Sequence, residues 1–168
     1  MPEDNQDRQD RTKTLNSVQL RATIIWAAML ASLGVYVGVA IFLKDQLPFI
    51  SLEPQELSTI RIGLILASAI VLVTAPSIYR KILAAAYGQT GASKQEILHL
   101  AANTYVAALV AVMVMYESIG VFALLLAFMG AGDNSFIGFM GVSAVAMLTA
   151  RPKTAALMEH YSKASPTH

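Results

Sequence analysis

The chain alternates between long apolar stretches and short polar ones. Four apolar stretches follow one another, at 22–43, 60–79, 104–130 and 135–150, and in each of them apolar residues occur on every side of a helix. A helix that is apolar all round is either buried or spans a membrane, and a span needs roughly 20 such residues. The pattern predicts an all-α integral membrane protein, a bundle of four transmembrane helices. The fourth stretch is the shortest, with 16 residues.

Local signals mark where these helices begin and turn. Pro54 follows Glu53 and suits the first position of a helix, and residues 93–96 read Ser-Lys-Gln-Glu, a capping-box pattern. We therefore expect the second helix to begin at Pro54 and the third near Lys94. The connection between the third and fourth helices is very short, which predicts a tight hairpin.

The polar stretches define the rest of the domain organisation. Acids and bases alternate in the first 14 residues, and we expect residues 1–19 to form a disordered cytoplasmic tail. Residues 20–151 form the predicted transmembrane domain, and residues 152–168 a short cytoplasmic tail.

The composition agrees with a membrane protein. Hydrophobic residues make up 55% of the chain and charged residues 14%, against roughly 25% charged residues in soluble domains. So few polar groups cannot cover so much apolar sequence, which excludes an ordinary soluble enzyme, a disordered protein and, with no Cys present, a disulfide-stapled secreted module. A net charge of +1 argues against a nucleic-acid partner.

The charges also predict an orientation. If all four stretches cross, the two tails and the connection between the second and third helices share one side and hold ten of the 12 Lys and Arg residues. Lys44 and Arg61 are on the other side. Because cytoplasmic loops carry an excess of Lys and Arg, we expect both termini to be cytoplasmic, in a multi-pass protein of the inner cell membrane. Its expected partners are the lipid bilayer and either further copies of itself or other subunits of a membrane complex.

Patterns typical of catalytic and metal sites are missing from the sequence. His99, His160 and His168 are not spaced three or four residues apart, and there is no glycine-rich phosphate loop and no Gly-x-Ser-x-Gly sequence. We therefore expect a protein that is not an enzyme and that holds no cofactor or metal.

Three glycines are candidate helix-packing positions. Gly34 and Gly38 form a Gly-x-x-x-Gly pair on one face of the first helix, and Gly120 lies in the third. The pair is typical of helices whose backbones approach closely, either between two copies or within one bundle.

Glu117 is the only charged residue away from the ends of the four stretches. At 1.5 Å per residue it lies about 18 Å from the nearest end of its helix, too far for its side chain to reach water. Because desolvation disfavours the charged form, we expect Glu117 to be neutral at about pH 7 and hydrogen-bonded to an adjacent helix. The hydroxyl-bearing candidates for that contact are Ser32, Tyr36, Ser68, Thr74 and Ser143.

The sequence around Glu117 is similar to a known ion-binding helix. Residues 116–128, Tyr-Glu-Ser-Ile-Gly-Val-Phe-Ala-Leu-Leu-Leu-Ala-Phe, resemble that helix in the c subunits of rotary ATP synthases. The resemblance implies that the Glu117 carboxylate carries a proton or sodium ion, and that the second and third helices form a hairpin with a cytoplasmic loop.

The chain departs from the c-subunit pattern in three places. The second helix lacks the run of alternating glycines, the loop lacks Arg-Gln/Asn-Pro, and the fourth apolar stretch lacks the ion-binding carboxylate that a duplicated, four-span proteolipid would carry there. The chain also resembles small four-helix bacterial membrane proteins with a glutamate in the third helix. Two hypotheses follow: an ion-handling, c-subunit-like protein that exchanges an ion at Glu117, or an accessory or scaffold subunit in which neutral Glu117 donates a hydrogen bond between helices.

Overall fold

The computed structural model describes residues 3–43, 52–85, 94–153 and Glu159. The described part of the chain holds four α-helices: α1 (Glu3–Leu43), α2 (Pro54–Ala84), α3 (Lys94–Phe128) and α4 (Asp133–Thr149). The prediction of an all-α protein is confirmed.

Three of the helices are long and apolar enough to cross a membrane. The stretches that qualify are Thr12–Leu43, Pro54–Ala84 and His99–Phe128. The fourth helix is shorter: its 17 residues measure about 25 Å at 1.5 Å per residue. The described part of the chain is therefore a helical bundle with three helices that could span a membrane.

The start of α1 differs from the sequence-based expectation. The first 19 residues were expected to be disordered, but α1 begins at Glu3 and continues without a break. Asp4 and Arg8 are spaced four apart in the sequence, a spacing that favours helix. Leu15 and Val18 are buried in the core. Tertiary packing of this last part of the predicted tail supports a helix that composition alone does not predict.

The other helix ends follow the local signals. Glu53 caps α2 and Pro54 is at its first position, while the Glu56 side chain accepts a hydrogen bond from the Glu53 backbone N–H at 3.3 Å. The prediction that α3 begins near Lys94 is also confirmed. Between α3 and α4, Gly130 and Gly132 have φ angles of 74° and 78°, which suit glycine because it has no Cβ.

The third helix is the centre of the bundle. It packs against α1, α2 and α4, and α1 also touches α4. In the most apolar 18-residue stretch of each helix, 44% of the residues of α3 are buried, against 6% in α1 and 11% in α2. Much of the core therefore comes from α3, including Tyr105, Met113, Ile119 and Leu126.

The outer surface of the bundle is apolar. Large apolar side chains are exposed on every helix, with Ile41, Val73, Val121 and Ile137 as examples. Soluble monomers rarely expose extended apolar patches of this kind. The exposed side chains are those expected to face lipid.

Candidate site around Glu117

Glu117 lies near the middle of the apolar part of α3. It is 18 residues after the first residue and 11 residues before the last residue of His99–Phe128. At 1.5 Å per residue, the nearer end of this stretch is about 16 Å away. The side chain is partly buried, on the side of α3 that meets α1.

Two hydroxyl groups of α1 contact the same oxygen of Glu117. The Ser32 hydroxyl lies 2.6 Å from Glu117 Oε1, and the Tyr36 hydroxyl donates to the same atom at 2.8 Å. Ser32 and Tyr36 are four residues apart, so they project from the same face of a helix. One turn of α1 therefore supplies both partners.

The remaining three candidate partners bond elsewhere. Ser68 donates to the Leu64 carbonyl and Thr74 to the Ile70 carbonyl, both within α2. Ser143 of α4 is fully buried and donates to the Tyr116 carbonyl of α3 at 2.7 Å. The bond made by Ser143 fixes α4 to the residue that precedes Glu117.

Ser32 makes two short oxygen contacts with a single hydroxyl hydrogen, so the second contact needs a hydrogen from its partner. Its Oγ lies 2.6 Å from Glu117 Oε1 and also 2.6 Å from the Met29 carbonyl oxygen. A serine hydroxyl carries a single hydrogen, and a carbonyl oxygen only accepts. With a carboxylate, one of these two short contacts has no hydrogen. With a protonated Glu117, the acid can donate to Ser32, Ser32 to Met29 and Tyr36 to Glu117.

Gly120 lies one turn beyond Glu117, where three helices meet. A Cβ at Gly120 would lie 2.6 Å from Leu33 Cδ2 of α1 and 3.6 Å from Met140 Sδ of α4. Because 2.6 Å is closer than carbon atoms pack, a side chain at position 120 would force the end of the Leu33 side chain to move. The glycine lets α1 and α4 approach the turn of α3 that carries the acid.

Gly34 and Gly38 occupy a different environment. A Cβ at either position would meet no atom of the described residues within 4 Å. Their side of α1 is open, and association between two copies through this pair stays a prediction.

The hydrogen-bond partners of the Glu117 carboxyl are neutral hydroxyl groups. Among the described residues, Glu117 forms no ion pair, and no group of three or more His, Cys, Asp or Glu side chains could hold a metal ion.

The sequence did not reveal the part played by the Met29 carbonyl, because every residue carries such a group. Spacing did hold one signal: Ser32 and Tyr36 lie one turn apart, whereas Ser68 and Thr74, six residues apart, face different sides of α2.

No family model matches this chain, and neither does any curated protein or solved structure.

Proposed function

We propose that this membrane protein handles protons, with Glu117 as a carboxyl group that binds and releases a proton within the bilayer. The observation that carries the proposal is the pair of α1 hydroxyls on Glu117 Oε1, at 2.6 and 2.8 Å. An ionisable residue at this depth is costly and is typical of proton or ion pathways.

The hydroxyls give both protonation states a set of partners. In the neutral state Glu117 donates to Ser32, which donates to the Met29 carbonyl 2.6 Å away. When the proton leaves, Ser32 can turn its hydrogen to the carboxylate, where Tyr36 already donates. Hydrogen bonds to a charged acceptor are the stronger ones, which offsets part of the cost of burying the charge. Rotation of one hydroxyl thus supports reversible proton exchange.

The similarity to c subunits agrees with this proposal. A carboxyl near the middle of a helix, on one arm of an α2–α3 hairpin, is the arrangement that the resemblance implies. We propose on this basis that the chain works as a c-subunit-like protein that assembles into an oligomer.

The topology belongs to the same proposal. We propose that α4 also crosses the membrane and that both termini face the cytoplasm. The contact of Gln19 with the Pro152 carbonyl and that of Tyr105 with Lys153 bring the beginning of the apolar part of α1 and the end of α4 to one end of the bundle. Arg21 and Arg151 are therefore at that end, as the positive-inside rule expects of a cytoplasmic face.

A scaffold function is the second candidate, and one specific observation favours it. The contacts of Gly120 with Leu33 and of Ser143 with the Tyr116 carbonyl lie within about one turn of Glu117. A permanently neutral Glu117 would then be one more interhelical hydrogen bond in a tightly packed junction.

Labelling with dicyclohexylcarbodiimide separates these two functions. The reagent is apolar and reacts with protonated carboxyl groups, so the full chain in liposomes should be modified at Glu117, and intact mass should show one adduct. Under the proposed function the carboxyl exchanges its proton, so labelling falls as pH rises, because the reagent needs the protonated acid.

Two variants control this experiment. Glu117→Gln should abolish the adduct, whereas Glu56→Gln, which changes an exposed acid in the first turn of α2, should leave it unchanged. Labelling that stays constant over the whole pH range would favour the scaffold function. Absence of an adduct on Glu117 at every pH would contradict both accounts of a neutral acid.

A further inference from the structure

A groove of about 330 Å³ lies between α2 and α4, at the end of the bundle that carries Arg151. Its floor is one face of α3, where Tyr105, Leu109, Val112 and Tyr116 follow one another at helical spacing. From Tyr105 to Tyr116 the floor measures about 16 Å at 1.5 Å per residue. The groove is therefore an apolar slot that runs along a membrane helix.

Three cationic side chains line the groove. Arg80 of α2 and Arg151 and Lys153, just beyond α4, are all exposed. The lining includes no acidic residue, and within the described part of the chain none of the three forms an ion pair. Among the described residues, one end of the slot thus carries positive charge with no acidic side chain in its lining.

The backbone that carries two of these cations is held in place. Pro152, between Arg151 and Lys153, is buried, and its carbonyl accepts a hydrogen bond from Gln19 of α1 at 3.3 Å. The Tyr105 hydroxyl accepts from the Lys153 backbone N–H at 3.1 Å. Because both contacts fix the chain against other helices, the backbone that carries the two cations is held at the groove before any ligand binds.

We propose that this groove binds an anionic phospholipid. Arg80, Arg151 and Lys153 would hold the phosphate of the headgroup, and an acyl chain would lie along the Tyr105–Tyr116 face of α3. Basic pockets between transmembrane helices are typical sites for anionic headgroups, and the apolar floor below these cations matches an acyl chain.

A second groove differs from the first in its charge, and this difference predicts which of the two binds an anionic headgroup. It lies between α1 and α3, measures about 430 Å³, and has Arg21 as its single cation. It is larger and its lining is more apolar, but it has little to attract an anion. It should accept lipids without preference for the headgroup.

Native mass spectrometry of the full chain, released from detergent with added lipid, tests the proposal. Dioleoyl phosphatidylglycerol should remain bound at lower concentration than dioleoyl phosphatidylcholine, which has the same acyl chains. Arg80→Gln combined with Arg151→Gln should weaken phosphatidylglycerol binding roughly thirtyfold, because each cation contributes about 1 kcal/mol and about 1.4 kcal/mol is tenfold.

The control variant removes the same charge from the same end of the bundle. Arg21 and Lys81 do not line the groove between α2 and α4. The double variant Arg21→Gln and Lys81→Gln should therefore leave phosphatidylglycerol binding unchanged. The double variant Arg80→Lys and Arg151→Lys keeps the charge and should retain most of the phosphatidylglycerol binding. This result would show that positions 80 and 151 tolerate substitution.

Several results would overturn the proposal. Equal retention of the two lipids would show that the headgroup is not recognised. An equal loss in both charge-removing double variants would show a general effect of net charge. If glycerol phosphate without acyl chains binds as well as phosphatidylglycerol, the groove is an anion site and not a lipid site.

Discussion

The second and fourth helices pack on the same central helix but are held in different ways. α2 has 31 residues, of which Ser68 and Ala75 are buried. α4 has 17 residues, of which five are buried: Phe139, Met140, Ser143, Ala146 and Met147. The helix that hydropathy identifies more clearly is thus the less embedded one.

Hydrogen bonding separates the two helices in the same way. Thr59, Ser68 and Thr74 of α2 donate to backbone carbonyls of α2 itself. In α4, Ser143 donates to the Tyr116 carbonyl of α3, and the Met147 carbonyl accepts from Trp26 of α1 at 2.9 Å. The bonds named in α2 satisfy its own polar groups, and those in α4 cross to other helices.

The difference follows from the solvent. Lipid tails are as apolar as leucine, so apolar residues place a helix in the bilayer without choosing its neighbours. Close approach at small residues and hydrogen bonds between helices make that choice. Hydropathy therefore measures membrane insertion, and it carries little information about how firmly a helix is fixed in the bundle.

The largest effect is expected from a topology experiment on α4. A reporter that is active only outside the cytoplasm should be active when fused after Gly132 and inactive when fused after Lys153, if α4 crosses the membrane as α2 does. A fusion after Ala85, at the end of α2, provides the inactive control. Activity after both Gly132 and Lys153 would show that α4 packs on the bundle without crossing.

A smaller effect is expected from filling the junction at Gly120. Gly120→Leu should lower the free energy of unfolding by about 1–3 kcal/mol, because overpacking forces neighbouring side chains and backbone to move. The clash is with Leu33, which lies 2.6 Å from the position of a Cβ. Denaturation by SDS in mixed micelles measures the change.

Gly63 of α2 is the matched control for this substitution. A Cβ at Gly63 meets no atom of the described residues within 4 Å. Gly63→Leu should therefore leave stability close to that of the parent chain. Equal destabilisation by the two substitutions would contradict the contrast between α2 and the α1–α3–α4 junction.

The smallest change in the free energy of unfolding is expected from replacing the two buried serines. Ser143→Ala removes an interhelical hydrogen bond and should cost about 0.6 kcal/mol, the average for such bonds in a membrane protein, and at most about 1.7 kcal/mol. Ser68→Ala removes a bond within one helix turn and should change stability less. Both serines are almost fully buried, at 0% and 6% exposure, so burial does not confound the comparison. The same SDS titration ranks them, and a larger loss in Ser68→Ala would reverse our interpretation.

The candidate site was partly predictable from the sequence. Glu117 is identifiable because a charge in the middle of an apolar stretch is rare and costly. Of its five possible partners, the contacts select Ser32 and Tyr36. Their spacing of four residues shows that one helix face can present both groups, but it does not show that this face meets α3. The second contact of Ser32, with the Met29 carbonyl, involves the backbone and has no sequence signal.

The sequence by itself determined that the chain is helical, that three of its helices are apolar enough to span a membrane, and that helices begin near Pro54, Lys94 and Asp133. These properties depend on residues close together in the chain, so local patterns are sufficient to predict them. The tertiary structure alone decided that α3 is central, that α4 is the better packed of the two even-numbered helices, and that α1 supplies the partners of Glu117. These outcomes depend on which helix faces meet, and that choice rests on contacts such as Leu33 with Gly120, between residues far apart in the sequence.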